Sequence, residues 1–260
     1  MGAMKRPYRI IAAALLLVLV SGAARPSGED THPATPAPSG VALVELFTSE
    51  GCSSCPPADA LLERLVHEAA SSGRPVYGLS LHVDYWDQLG WRDRFSSAGY
   101  THRQSQYARR FGLKSMYTPE IVVNGDGECV GSNASAVQGQ IDRALSRPSQ
   151  VTPALTVTAS GQELRVRCSV PHAPKGATLS VAWVQSQAVS SPDAGENGGR
   201  TLRHANVVRG LETVPLTPGF NDVIVLHRAD AEDGEVIGWV QASGQGSVLG
   251  ADAIAVRAHR

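Results

Sequence analysis

Two cysteines separated by two serines stand where an apolar run gives way to a helical pattern, at Cys52-Ser53-Ser54-Cys55. The run before them, residues 41–47, is apolar except for one glutamate and predicts a buried strand. Residues 56–70 repeat leucine, valine and alanine at helical spacing and predict an amphipathic helix. A chain with this order must place its cysteines between the end of a strand and the start of a helix.

This placement predicts thiol chemistry at both cysteines. The free N–H groups and the positive dipole end at a helix N-terminus stabilise a thiolate, which lowers the pKa of the thiol. Two intervening residues allow the second sulfur to reach the first and to resolve a mixed disulfide. We therefore predict that Cys52 is the exposed nucleophile, that Cys55 is the more buried resolving thiol, and that the two form a disulfide when oxidised.

Strands and helices alternate in the first half of the chain. A second strand is predicted at 75–81, a helix within 97–111, a third strand at 119–124 and a return strand at 128–131. Ser132 or Asn133 can cap a last helix. The predicted order is β-α-β-α-β-β-α, which makes residues 41–148 an α/β domain.

The pattern changes to period two after Pro153. About seven short runs alternate apolar and polar residues, with turn residues between them, which predicts an antiparallel β-sandwich over 153–260. A small barrel is the alternative. Trp183 and Trp239 are expected in its core rather than on a ligand platform.

The first residues have the pattern of a secretory signal peptide. Lys5, Arg6 and Arg9 precede an apolar run at 10–20, and small residues follow at 21–24. The run is shorter than the roughly 20 residues that span a bilayer, although an uncleaved anchor is the alternative. We predict a signal peptide at 1–24, a Pro/Ser-rich linker at 25–40, and export to the periplasm or beyond, where cysteines can pair.

Composition excludes several classes of function. The formal net charge is -1, which gives no electrostatic basis for nucleic-acid binding. Gly125-x-Gly127 is followed by a strand pattern rather than a helix, so a dinucleotide site is not predicted. We expect no cofactor and no metal, a protein or small thiol as the redox partner, and membrane contact only through an uncleaved signal segment.

Thr118 and Pro119 open the third predicted strand. A proline at the start of a strand beside a site is compatible with a cis peptide bond. Such a bond would direct the Thr118 backbone to the cysteines, where it can hydrogen-bond an extended substrate chain. The alternative is an ordinary trans proline on an edge strand.

Two further side chains are candidates for supporting roles. Glu45 is either a buried carboxylate that takes the proton from Cys55 or a partly exposed acid at the edge of the strand. His82, followed by Asp84 and Asp87, could act on a thiol or bind a metal at the end of the sheet. A hydrogen-bonded loop rimmed by aromatic residues is the favoured interpretation, because this spacing is not specific for a metal.

The remaining cysteines and a basic stretch have simpler interpretations. Cys129 lies beside a turn, and Cys168 lies on the apolar face of a strand as a small core residue. A bridge between them would join the two halves, but nothing in the sequence brings them together. The stretch from Arg92 to Arg110 is expected to pair with nearby acids rather than to bind an anionic partner.

These residues carry a family resemblance. The segment Phe47-Thr48-Ser49-Glu50-Gly51-Cys52-Ser53-Ser54-Cys55-Pro56-Pro57-Ala58-Asp59 resembles the active-site architecture of the thioredoxin superfamily. More closely, the chain resembles the secreted bacterial family called domain of unknown function 1223. The matching motifs are 82–87, 90–93, Arg103-Gln104 with Tyr107, 117–119, Glu196-Asn197, 199–202 and 206–209. The resemblance implies a thioredoxin-like fold with an extra β domain and does not imply a settled reaction.

The sequence as a whole favours an exported thiol–disulfide oxidoreductase that uses the Cys52–Cys55 pair. One alternative is a non-catalytic binding protein in which this disulfide is structural. Another is a metal-binding envelope protein that uses the cysteines with His82. The polar positions at 198–200 and 204–206 could line a cleft, but ordinary loop structure is favoured for them.

Overall fold

The computed structural model describes residues 1–2, 40–228 and 232–257. The predicted signal peptide and linker therefore lie outside the described residues, except for residues 1, 2 and 40. Among the helices that are described, none combines the length and the apolar character needed to cross a membrane.

Three α-helices and eleven strands make up the described part of the chain. The helices are α1 Pro56–Ser72, α2 Ala98–Phe111 and α3 Ala134–Leu145. The strands of the first half are β1 Ala42–Thr48, β2 Val76–His82, β3 Glu120–Val123 and β4 Gly127–Val130. Those of the second half are β5 Ala154–Ser160, β6 Glu163–Val170, β7 Thr178–Ser190, β8 Leu202–Pro215, β9 Phe220–His227, β10 Gly234–Gln241 and β11 Val248–Val256.

Eight of these strands form one mixed sheet in the order β11-β10-β7-β8-β2-β1-β3-β4. Strand β2 is parallel to both of its neighbours, β1 and β8, and the other pairs are antiparallel. Strands β5, β6 and β9 form a second, antiparallel sheet. The short parallel pairing of β2 with β8 joins the two halves of the chain at Ser80 and Val207.

The predicted fold, a thioredoxin-like α/β domain followed by a β-sandwich, is wrong. The structure is mostly β, and strands from both halves share the eight-stranded sheet. Hydrophobic pattern reports which faces of a strand are buried, but it does not report which strand lies beside it. Strand β2 would leave unpaired backbone groups if β1 were its only neighbour, and β8 covers that edge. The predicted domain boundary at 148–153 stays a prediction.

A buried cluster of side chains from both halves lies on one face of the large sheet. Leu81 and Val83 from the first half share it with Val184, Ile237 and Trp239 from the second. Helix α2 covers this cluster with Tyr100 and Tyr107, whereas α1 and α3 pack in a separate cluster with β1 and β3. Trp183 and Trp239 are both buried, which confirms their expected place in the core.

Helix α1 begins where the sequence predicted. Cys55 is its N-cap residue, and Pro56 and Pro57 occupy the first helical positions, where a missing N–H costs little. Gly73 ends the helix in the left-handed conformation, with φ of 67°. The cysteine segment is therefore fixed between the end of β1 and the first turn of α1.

Candidate functional site

Cys52 and Cys55 form a disulfide, with their Cα atoms 5.4 Å apart. Both cysteines are completely buried, while Ser53 and Ser54 between them are exposed. Cys52 was expected to be exposed, and the structure instead buries it as fully as Cys55. The reason is a segment from the second half of the chain that covers residues 50–55, which we call the cysteine turn.

We call residues 191–201, which connect β7 and β8, the covering segment. The buried side chain of Asn197 donates from Nδ2 to the carbonyl oxygens of Glu50 and Cys52, at 2.9 Å each. The Ser53 N–H donates to the Glu196 carboxylate over 2.9 Å. Arg200 in turn donates to Asn197 Oδ1 over 2.7 Å. Four polar contacts thus connect or brace the covering segment against the cysteine turn.

The pKa of Glu196 is lowered by its hydrogen bonds from the Ser53 side chain and backbone. Its carboxylate is therefore charged at neutral pH and lies at the surface beside the disulfide. Reasoning from sequence favoured ordinary loop structure here, because Gly198 to Arg200 read as turn residues. The only available signal was that the family resemblance extends to Glu196-Asn197.

A buried cluster of ionisable side chains lies beside the disulfide segment. It comprises Glu50 before Cys52, Asp59 on α1, His82 at the end of β2, Asp93 and His204 on β8. Each of these residues is at most 5% exposed. We call them the His–carboxylate cluster.

His82 and Asp93 form the tightest pair of this cluster, with Nδ1 and Oδ2 2.6 Å apart. Burial alone would lower the pKa of His82, but the Asp93 carboxylate beside it raises the pKa above its ordinary value of 6.5. Burial would raise the pKa of Asp93, yet His82 and the N–H groups of Glu50 and Phe95 lower it. Between the ordinary pKa values of 3.8 and 6.5, the two groups therefore form an imidazolium–carboxylate ion pair.

His204 contributes an imidazole from the second half of the chain. Its Nε2 lies 3.8 Å from Glu50 Oε1, and its Nδ1 lies 3.7 Å from Asp59 Oδ1. Neither ring nitrogen has a hydrogen-bond partner among the described residues, and Glu50 Oε1 and His82 Nε2 are likewise unpartnered. Buried polar atoms without partners are uncommon in folded proteins and often mark a functional site or an ordered water.

The geometry gives no support to a metal site. Within the described ranges, no three histidine, cysteine, aspartate or glutamate side chains are placed to hold one ion. Asp84 and Asp87, the acids that follow His82, accept hydrogen bonds from Thr101 and Ser96. The favoured interpretation of this segment, a hydrogen-bonded loop, matches these contacts.

Thr118 and Pro119 are joined by a cis peptide bond at the start of β3. Trp86 Nε1 donates to Thr118 Oγ1 over 2.8 Å, which ties this turn to the loop after β2. A Cβ atom at Gly131 would lie 3.1 Å from Ala58 and 3.2 Å from Pro119. The proline and the first turn of α1, the helix whose N-cap is Cys55, therefore both pack against Gly131.

Glu45 is a buried carboxylate whose hydrogen-bond partners come from α2. Its carboxylate is completely buried and accepts from Arg103 Nε at 2.5 Å, Arg103 Nη2 at 2.9 Å and the Tyr107 hydroxyl at 2.6 Å. Burial of Glu45 contradicts the alternative of a partly exposed acid at the strand edge, and a role in taking the proton from Cys55 stays a prediction. The residue acts in a buried ion pair that joins β1 to α2.

The remaining cysteines and the arginines of the basic stretch lie away from the disulfide in sequence. Cys129 and Cys168 are both free, and burial raises the pKa of each thiol to about 11. Of the basic stretch, Arg103 pairs with an acid as expected. Arg109 and Arg110 instead donate to Ser105 Oγ and to the Gly125 carbonyl.

Solved structures with a similar architecture include two that extend over most of the chain. Protein AGR_C_4864 from Agrobacterium tumefaciens superposes with a TM-score of 0.64 at 27% identity, over 85% of this chain and 97% of that one. HBP35 of Porphyromonas gingivalis gives 0.57 at 12% identity, over 84% and 76%. The second likeness shows the fold alone.

No curated protein matches the sequence. The family model described as "Protein of unknown function (DUF1223)" matches residues 43–241, a range that contains the disulfide, the covering segment and the His–carboxylate cluster. The chain therefore belongs to the DUF1223 family.

Proposed function

We propose that this protein is a thiol–disulfide oxidoreductase in which the Cys52–Cys55 pair exchanges electrons with a partner. The observation that carries the proposal is the disulfide at the N-cap of α1. A thiolate at a helix N-terminus is stabilised and reactive, and a sulfur three residues away can resolve a mixed disulfide. From the resemblance to the thioredoxin superfamily, we use only the arrangement of residues around the cysteines and not the fold.

In the proposed reaction, a partner thiolate attacks Cys52 Sγ and forms a mixed disulfide. The Cys52–Cys55 bond breaks, and Cys55 leaves as a thiolate that takes up one proton. A second thiolate of the partner then attacks the mixed disulfide and releases Cys52, which takes up another proton. The partner dithiol is oxidised to a disulfide, and the two electrons it loses reduce the cysteine pair. The same steps in reverse would oxidise this protein's dithiol.

We assign the partner backbone to the turn at Thr118 and Pro119. Support comes from the packing of Pro119 and of Ala58, in the first turn of α1, against Gly131. We also propose that the reaction takes place outside the cytoplasm. The signal-peptide pattern at 1–24 and the disulfide itself are consistent with an oxidising compartment.

Substitution of each cysteine tests the proposal. Exchange between the purified protein and 2-hydroxyethyl disulfide, coupled to glutathione, should fall to the uncatalysed rate in Cys52→Ser. Cys55→Ser should instead accumulate mixed disulfides, detected by mass spectrometry, because its resolving thiol is absent. Cys129→Ser is the matched control and should retain the activity. Unchanged exchange in Cys52→Ser would contradict the proposal.

A second candidate is a binding protein in which the disulfide is permanent. The complete burial of both cysteines beneath the covering segment favours it. The reduction potential separates the two candidates and is measured in graded thiol–disulfide buffers. A value between about -120 and -270 mV is that of working exchange proteins, whereas one below about -300 mV marks a structural disulfide.

A further inference from the structure

The backbone N–H that follows Cys52 in the chain, that of Ser53, points to a carboxylate. It donates to Glu196 Oε2 over 2.9 Å, and Glu196 lies 143 residues further along the sequence. A thiolate in the turn before a helix is stabilised by the backbone N–H groups around it. In this protein one of those donors is already engaged by a negative charge from another part of the chain.

This contact opposes the formation of a thiolate at Cys52 in two ways. The carboxylate holds a donor that would otherwise be free to reorient toward the sulfur. It also places a negative charge beside the position where the thiolate charge would develop, and like charges disfavour one another. Both effects would make the Cys52 thiol a weaker acid.

Asn197, the residue after Glu196, ties this part of the covering segment to the cysteine turn. Its Nδ2 bonds to the carbonyl oxygens of Glu50 and Cys52 lie on the two sides of Gly51, so they fix the turn that carries the first cysteine. Asn197 is completely buried, and Arg200 holds its other amide atom. Displacement of this one side chain would release both the cover of Cys52 and the nearby carboxylate.

We propose that Glu196 and Asn197 are positioning residues for the cysteine pair, which together close off Cys52 and set how readily it forms a thiolate. The role of the cysteines in exchange rests on the proposed function. The covering of Cys52 and its conversion to a thiolate are properties of the protein alone. They are measurable whether or not the protein catalyses exchange.

Other charged groups also face the cysteine turn. Glu50 belongs to the cysteine turn itself, and the backbone N–H of Glu50 donates to the Asp93 carboxylate. Asp59 lies on α1, His204 on β8 and Arg200 on the covering segment. These groups are the same in every variant below, so a difference between variants reports the covering segment.

The test is the rate at which iodoacetamide alkylates Cys52 in the fully reduced protein between pH 5 and 10. Peptide mass mapping separates Cys52 from the other thiols. In Glu196→Gln we expect the midpoint of the pH profile to fall by about 0.5–1 pH unit, since a neutral amide replaces the charge. Asp193→Asn removes an exposed carboxylate of the same segment and should leave the midpoint unchanged.

A second variant tests closure. Asn197→Ala loses two hydrogen bonds to the turn, and alkylation at a fixed pH above the midpoint should become about tenfold faster, because the open state is more populated. Near-UV circular dichroism of the oxidised variant checks that the fold is retained. The proposal is overturned if Glu196→Gln and wild type share one midpoint, or if Asn197→Ala reacts at the wild-type rate. A shifted midpoint without exchange activity would remove the proposed function and retain this inference.

Discussion

The ion pair between His82 and Asp93 is the residue-scale feature with the clearest measurable consequence. Both side chains are buried, and the shared hydrogen bond is 2.6 Å long. Because the folded pKa of His82 is raised, its contribution to stability is complete below its ordinary value of 6.5 and is lost as pH rises through the folded value. The folded pKa of Asp93 is lowered. The contribution of Asp93 to stability is therefore complete above its ordinary pKa of 3.8 and is lost as pH falls through the folded value.

The pair should therefore stabilise the fold fully between about pH 4 and 6.5 and less on either side of that range. Urea unfolding from pH 5 to 9 should show a free energy of unfolding that declines above pH 6.5. In His82→Gln this decline should be smaller, on top of an overall loss of about 3–5 kcal/mol from leaving Asp93 without its partner. His67→Gln, on the exposed surface of α1, is the control and should keep the wild-type slope. Equal slopes in His82→Gln and wild type would contradict the assigned ion pair.

Reasoning from single residues located part of the site. The spacing of Cys52 and Cys55 is local in sequence, and so is the helix start that follows it. Asn197 and His204 contact residues around the cysteines from the other half of the chain, and no local sequence pattern predicts these contacts. Glu45 shows the complementary difficulty, since its place in an apolar run left burial and partial exposure open and could not identify Arg103 as its partner.

At the scale of elements, close approach between segments depends on glycine at one position of β11. A Cβ atom at Gly250 would overlap the carbonyl oxygen of Val151, in the segment that leads from α3 into β5. Gln150 and Val151 both donate their N–H groups to the Leu249 carbonyl in this crossing. The backbone of residues 150–151 thus lies directly on the edge strand of the large sheet.

Glycine-to-alanine substitutions in β11 and in α3 should change the free energy of unfolding in opposite directions. Gly250→Ala should destabilise the protein by about 2 kcal/mol or more, because two backbone segments must separate. Gly139→Ala, inside α3, meets no atom closer than the end of Arg143 at 3.7 Å and should stabilise by up to about 1 kcal/mol. Thermal unfolding followed by circular dichroism measures both changes. A neutral Gly250→Ala would show that the crossing is not tightly packed.

Elements were predicted better than their arrangement. The first half has the predicted order of strands and helices, and the second half has seven strands, β5 to β11. Periodicity reflects which side chains of one segment are buried. It therefore identifies the type of that element but not the strands that lie beside it. The pairing of Ser80 with Val207 depends on two strands that are more than 120 residues apart, and neither strand's pattern specifies the other.

At the scale of the whole molecule, the sheet and one of its cores are shared between the two halves. Strand β2 lies between β1 and β8, and Leu81 and Val83 pack in one cluster with Val184, Ile237 and Trp239. The described residues from 40 onward belong to one compact unit. A fragment that ends near residue 150 would expose this apolar face and the edge of β2.

We therefore expect a fragment of residues 40–150 to lack a cooperative unfolding transition. Urea unfolding followed by the fluorescence of Trp86 and Trp91 should give a broad, shallow curve for the fragment. The full chain should give a steep one. A sigmoidal transition in the fragment with a slope that scales to its length would show that the first half folds independently.

The cover over the disulfide also imposes an order of events during biosynthesis. Asn197 lies 145 residues after Cys52, and at about 5–20 residues per second a ribosome needs roughly 7–30 s to add that length of chain. Through that interval the nascent polypeptide carries both thiols without the asparagine that later encloses them. Where an oxidant reaches the chain before residues 191–201 have packed, the sulfur–sulfur bond can therefore precede the tertiary contacts that bury it.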